Sequence, residues 1–270
     1  MTADNLNEIR KKVRERHPLI HCITNPISLN QCANAILAVG ARPIMAEHPA
    51  EVEEITSTSG ALMLNVGNIT DVRMESVRIS AITAQRQGIP IVLDAVGIAC
   101  SSLRRRFVFE LMEEVTPTVI KGNYSEIKAL SDISYRCAGV DSESLDQWDM
   151  GKISARLAKG LNSVVLVSGK TDIVSDSGST VHISNGTPRL GQITGTGCML
   201  GALCACFLSV CADRRAAVTA CGVMGISGEL AEAAKGSGSF GISLLDSLSS
   251  LSDEDIQNKL KMEVIRHERL

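Results

Sequence analysis

Through the first two thirds of the chain, short apolar runs alternate with longer stretches of helical periodicity. Leu19–Ile23, Ala61–Asn65 and residues 89–93, 119–121 and 163–167 read as strands, most of them too apolar for a half-exposed sheet. Between them, Asp71–Gln87 sets Met74, Val77, Ala81 and Ala84 on one face, with Asp71 as its cap and Gly88 as its stop. Residues 28–39 behave the same way and stop at Gly40. Alternation of this kind specifies βαβ units, an α/β fold with a mainly parallel sheet flanked by helices on both faces. After Gly169 the pattern changes. Asp172–Ser175 and residues 180–183 are short, β-rich and separated by a turn, which predicts an antiparallel hairpin on the sheet edge. From Gly197 onward the chain reads as helical to its end. No low-complexity linker, repeat or shift in composition divides it, so one domain over residues 1–270 is expected.

Composition narrows the function. With 27 basic and 30 acidic residues the net charge is -3, which leaves no electrostatic footprint for nucleic acid. The run Arg104-Arg105-Arg106 falls in a predicted helix and reads as a solvated face. Residues 198–212 are the most apolar stretch, yet a membrane span needs roughly 20 such residues, so a helix buried on all sides is expected. There are nine cysteines, an odd number, and residues 1–16 are polar with no signal-peptide core. Reduced thiols in the cytoplasm follow.

Ligands of open α/β sheets bind at the carboxyl ends of the strands, so polar residues there are the candidates for chemistry. Gly195-Thr196-Gly197 precedes the apolar helix. Its glycines let the backbone approach a ligand, and the free N–H groups of a helix start, with the macrodipole, make an anion hole for a phosphoryl group. The same spacing also suits a plain strand-to-helix turn. Cys198 falls in the first turn, where a lowered thiol pKa would give a thiolate able to take a proton from an alcohol; packing is the other reading. Asp94 and Glu126 follow neighbouring strands and could hold Mg²⁺, or could serve as helix caps. A P-loop is absent. Gly236 to Gly241 matches G-x-G-x-x-G but follows a helical pattern, and reads as a flexible loop that could close over a ligand. His21 and His48 have no partner for a catalytic triad.

Together these residues are similar to one family. Residues 18–25 (Pro-Leu-Ile-His-Cys-Ile-Thr-Asn), then Asn30, Asn34, Gly40, Pro43 and Met45, resemble the N-terminal signature of hydroxyethylthiazole kinases. The likeness continues through Leu64-Asn65-Val66-Gly67, Asp94, Lys121-Gly122-Asn123, Glu126, Thr194-Gly195-Thr196-Gly197-Cys198 and Gly236 to Phe240. It implies a ribokinase-like fold, a homotrimer with sites at subunit contacts, and ATP-dependent phosphorylation of 4-methyl-5-(2-hydroxyethyl)thiazole. By the same resemblance Met45 and Gly195 line the thiazole pocket, with Asn25 close by. Lys121 and Ser168 contact ATP, Asp94 and Glu126 handle Mg²⁺, and Cys198 takes the base position. The family usually has Pro at Ala95, Arg at Lys121, Thr at Ser168 and Pro at Ser237. Loss of Pro at 95 is expected to relax the turn after the strand, and Lys121 to meet phosphate as a point charge without the bidentate fork. Gly-Thr-Gly-Cys also suits hydroxymethylpyrimidine or pyridoxal kinases, and the substitutions leave room for a non-catalytic nucleotide-binding trimer.

Overall fold

The computed structural model describes residues 1–131 and 147–267. Among the described residues nine strands form a continuous sheet: β1 (Leu19–Ile23), β2 (Arg42–Ile44), β3 (Ala61–Asn65), β4 (Ile91–Asp94), β5 (Val119–Asn123), β6 (Val164–Ser168), β7 (Asp172–Ser175), β8 (Ser179–Ile183) and β9 (Met262–Arg266). Their order is β2-β1-β3-β4-β5-β6-β7-β8-β9. The strands from β2 to β6 pair in parallel, and β7, β8 and β9 each join antiparallel. This is the mainly parallel α/β sheet, flanked by helices on both faces, that the apolar runs predict.

Two layers of helices cover the sheet. On one face lie α1 (Ala3–Arg16), α2 (Leu29–Ala38), α8 (Thr196–Leu208), α9 (Arg214–Leu230), α10 (Ser237–Ser250) and α11 (Asp253–Lys259). On the other lie α3 (Val52–Ser57), α4 (Asp71–Gln87), α5 (Ser102–Glu114), α6 (Tyr124–Ser131) and α7 (Gln147–Leu161). Strand residues alternate between the two cores, as their period of two requires. Ala61 and Met63 enter the first, Leu62 and Leu64 the second; in β6, Val164 and Leu166 oppose Val165 and Val167. Burial on both faces is what makes the runs read as continuously apolar. Helix α8 is buried at every residue from Cys198 to Leu208, and no helix among the described residues is long and apolar enough to cross a membrane.

Several local readings change. Thr70, not Asp71, is the N-cap of α4, accepting from the Arg73 N–H, while Gly88 closes the helix in the left-handed region. The hairpin β7–β8 is not the sheet edge, because β9 covers it. The C-terminal end is therefore not helical throughout. Strand β9 pairs on one side only and is largely exposed, so it lacks the apolar run that marks the others. Gly236 begins a helix rather than a flexible loop: it is the N-cap of α10. Arg189 pins this start, donating to the carbonyls of Glu232, Ala234 and Gly236 and lying 4.7 Å over the Phe240 ring.

Candidate active site

Strand register builds the site. Asn65 ends β3 and pairs with Asp94, the last residue of β4, which pairs in turn with Lys121 on β5. Met63, Val92 and Val119 lie in the core beneath α8. Two residues further along each strand, Asn65, Asp94 and Lys121 project to the same side and form a polar row.

The start of α8 lies over that row. Its N-cap Gly195 has φ of 89°, a left-handed conformation that favours glycine, and a Cβ there would come within 3.0 Å of Ser28 Cβ. The first N–H groups of α8 have no partner within the helix. Lys121 Nζ reaches this turn, 3.8 Å from where a Cβ on Gly197 would stand. Beneath it Lys121 Nζ donates to Asp94 Oδ1 at 2.9 Å, with the two side chains 4% and 0% exposed. Asn65 Nδ2 donates to Asp94 Oδ2 at 3.0 Å and to Cys198 Sγ at 3.2 Å. Asn25 Nδ2 gives the sulfur a second donor at 3.3 Å.

Burial decides the electrostatics. It pushes the Asp94 carboxyl up, and Lys121 and Asn65 pull it back only in part, with Glu126 adding to the rise. Burial alone would lower Lys121, but the charge of Asp94 outweighs it and holds the ammonium charged. The Cys198 thiol is also raised, first by burial and then by Asp94, against the hydrogen bond of Ser28 and the charge of Lys121. The lowered thiol pKa expected from the helix start is therefore reversed. Lost water and a nearby carboxylate both favour the neutral thiol.

Glu126 lies in the first turn of α6. Its Oε2 accepts from the Asn123 N–H and its Oε1 from the Gly97 N–H, both at 2.7 Å. It thus caps α6 and ties down the loop after β4. Where the family usually has proline, that loop carries a backbone tie instead. The Ala95 N–H donates to the Lys121 carbonyl at 2.8 Å, a bond proline cannot make. Arg104 and Arg105 do not simply face water either; they turn back onto the carbonyls of Val96, Ile98 and Ala99.

The remaining candidates lie around this centre. Ser168 ends β6 beside Asn123, its hydroxyl donating to the Gly122 carbonyl at 3.4 Å. Met45 follows β2 and packs half-buried against the core on the α8 side. The next residue is held by His21, whose Nε2 contacts the Ala46 carbonyl at 3.0 Å while Nδ1 contacts the Thr56 hydroxyl at 2.8 Å. Sequence reasoning gave Asn65 no role, although its place at the end of an apolar strand, two residues before Gly67, is a usable signal.

The profile of the Hydroxyethylthiazole kinase family matches residues 10–254. The chain belongs to the hydroxyethylthiazole kinase family. It is similar to hydroxyethylthiazole kinase 2 of Clostridium botulinum (strain Hall), 47% identical over 261 residues that cover 94% of this chain and 98% of that protein. Hydroxyethylthiazole kinase 1 of Methanosphaera stadtmanae is 39% identical, with 97% and 98% covered. Among solved structures, the hydroxyethylthiazole kinase protein of Pyrococcus horikoshii superposes with a TM-score of 0.89 at 36% identity, covering 96% of this chain and 98% of that one. A ribokinase-like superfamily protein of Enterococcus faecalis, at 12% identity and a TM-score of 0.65, shares the fold.

Proposed function

We propose that the chain is a single-domain, cytoplasmic hydroxyethylthiazole kinase, transferring the γ-phosphoryl group of ATP to the alcohol of 4-methyl-5-(2-hydroxyethyl)thiazole for thiamine synthesis. The observation that carries this reading is the convergence of Asp94, Lys121 and Cys198 at the N-terminus of α8. Phosphoryl transfer needs alignment and charge neutralisation more than covalent help, and these groups supply both. The substrate oxygen attacks the γ-phosphorus, the bond from that phosphorus to the β–γ bridging oxygen breaks, and ADP leaves. The hydroxyl proton passes to the Cys198 sulfur, which can accept it only as thiolate. N–H groups at the start of α8 and the Lys121 ammonium meet the phosphate charge. Ser168 faces the nucleotide, and Met45 and Gly195 wall the thiazole, where a thioether suits a sulfur heterocycle.

The donor set fits magnesium. Asp94 and Glu126 offer oxygen alone, and their charges lie close enough for Glu126 to raise Asp94. Among the described residues no third carboxylate, His or Cys joins them, so the other ligands would be phosphate and water. The ion would neutralise charge on the β- and γ-phosphates. A homotrimer is part of the proposal. Ile27, Leu37 and Ile242 are 64%, 55% and 66% exposed, on the loop before α2, on α2 and on α10, which packs against α2. Such apolar surface suits a subunit contact.

Purified protein with MgATP should release ADP and form the thiazole phosphate, detected by mass spectrometry, and should scatter light as a trimer. Phosphorylation of hydroxymethylpyrimidine or pyridoxal instead, or nucleotide binding with no turnover, would overturn the assignment. A fully active monomer would remove the trimer.

A further inference from the structure

We propose that Asn65 is a positioning residue whose one amide group holds the Cys198 sulfur and the Asp94 carboxylate in fixed relation, keeping the proton acceptor aligned with the groups that meet phosphate. The consequence for turnover rests on the kinase reading above; the consequence at the sulfur does not.

The orientation of the amide is fixed by its neighbours. The Gly67 N–H can only donate, and it reaches Asn65 Oδ1 at 2.8 Å, so the NH₂ end must face the other way. There it meets Asp94 Oδ2, a carboxylate acceptor, and Cys198 Sγ. Asn25 is set by the same logic. The Ser28 N–H donates to its Oδ1 at 3.1 Å, leaving Nδ2 to reach Asn65 Oδ1 and the sulfur, both at 3.3 Å. Flipping either amide would turn a carbonyl toward a carboxylate or an N–H toward an N–H. All four hydrogen-bonding positions of Asn65 are thereby used, and the residue is buried. A buried polar group bonded on every side cannot shift without leaving a partner unsatisfied.

This arrangement also gives a reason for Gly67. A Cβ there would stand 2.8 Å from Asn65 Oδ1, 3.1 Å from Asn25 Nδ2 and 3.2 Å from Val96 Cγ1. Only a residue with no side chain lets the backbone N–H clamp the amide. The Asn65-Val66-Gly67 segment therefore acts as one unit. Asp at 65 would place a carboxylate against Asp94. Leu would fill the volume but leave both the sulfur and Asp94 short of a donor.

Two variants test this, Asn65→Leu and Gly67→Ala, with two readouts. The first is kcat and KM with MgATP and the thiazole alcohol. The second is the pH midpoint of Cys198 alkylation by iodoacetamide, in protein free of nucleotide and metal, read by peptide mass mapping. Asn65→Leu should lower kcat by about 10²-fold, the lower end of what a general base contributes, with KM for the alcohol within about threefold. It should also move the alkylation midpoint upward, because a donor that favours the thiolate is lost. Gly67→Ala should shift both readouts in the same direction by less. A kcat within threefold of wild type overturns the proposal. So does a fall in kcat with an unmoved midpoint, since general damage gives that pattern. If Asn65→Leu does not fold, Gly67→Ala decides by its midpoint alone: a rise supports the proposal and no change overturns it. A wild-type protein that phosphorylates no thiazole would defeat the kinase reading, while the alkylation comparison would still decide whether Asn65 holds the sulfur.

Discussion

Replacing Asp94 by Asn should cost folding stability as well as turnover. The Lys121 ammonium lies 2.9 Å from Asp94 Oδ1, and neither side chain is appreciably exposed. At an effective dielectric constant of about 20 their attraction is roughly 6 kcal/mol, most of which offsets the removal of both charges from water. Substitution removes the attraction but leaves the buried ammonium, and breaking a buried pair in this way costs about 3–5 kcal/mol. Geometry argues for the upper part of that range. Lys121 Nζ and Asn65 Nδ2 each donate to a different oxygen of Asp94, whereas an asparagine has one oxygen, so one donor would face an NH₂ group. Urea unfolding followed by circular dichroism should show a lowered midpoint at an unchanged slope. The double variant Asp94→Leu with Lys121→Met should recover much of the loss, because no uncompensated charge remains. A loss below about 1 kcal/mol for Asp94→Asn would mean that Lys121 can turn out to water. The buried pair would then not be a structural tie between β4 and β5.

Two further outcomes follow from pKa values shifted by burial. Since the Cys198 thiol is raised by burial and by Asp94, the thiolate fraction grows with pH and kcat should climb from neutral into the alkaline range. Cys198→Asp should retain turnover and flatten that climb, Cys198→Ala should lose about 10²–10⁴-fold, and an alkaline rise that persists in the Asp variant would assign the titration elsewhere. Asp172, at the start of β7, is pushed by burial up to about 6 despite the Gly169 N–H it accepts. Its pKa in the unfolded chain is about 3.9, so the folded state binds the proton more tightly and stability falls as pH rises from about 4 to 6, then levels off. Asp172→Asn should gain at most about 3 kcal/mol at pH 8 and nothing at pH 4 in urea unfolding. An unchanged pH dependence would show that this carboxylate is not the group responsible.

Much of the fold is legible because the inner parallel strands β1, β3, β4, β5 and β6 are buried on both faces, which leaves apolar runs bounded by polar turns. Strands β1 and β3 carry that signal at every position but one, His21 in β1 and Asn65 in β3. Strand β2 does not: it is three residues long and contains Pro43, which is tolerated where one side of the strand is unpaired. Strand β9 is exposed over most of its length and follows a helix closely, so neither periodicity nor a breaker marks it. The cap of α4 was misplaced by one residue, since Thr70 and Asp71 are both good capping types and only the backbone geometry separates them.

The site was legible in its parts and not in its assembly. Asp94, Lys121 and Cys198 each carry a local mark, such as a strand end or a helix start after glycines. What joins them is the pairing of Asn65 with Asp94 and of Asp94 with Lys121, and parallel register is set by crossover helices and core packing rather than by any short segment. Once the register is known, the period of two puts the side chains of Asn65, Asp94 and Lys121 under α8, which carries Cys198. The pKa of Cys198 was misjudged for a related reason. A helix start lowers a thiol pKa through local geometry, but what raises it here, burial and the Asp94 charge, comes from β4 and from the packing of α8 onto the sheet. Gly201 of α8 sits so close that a Cβ there would be 3.4 Å from Asp94 Oδ2 and 2.9 Å from Met63 Cε. The same tight contact that brings the start of α8 over Asp94 and Lys121 also removes water from the sulfur. The anion site proposed at the start of α8 and the raised thiol pKa would therefore share one packing arrangement, and a change that loosens α8 should weaken both together.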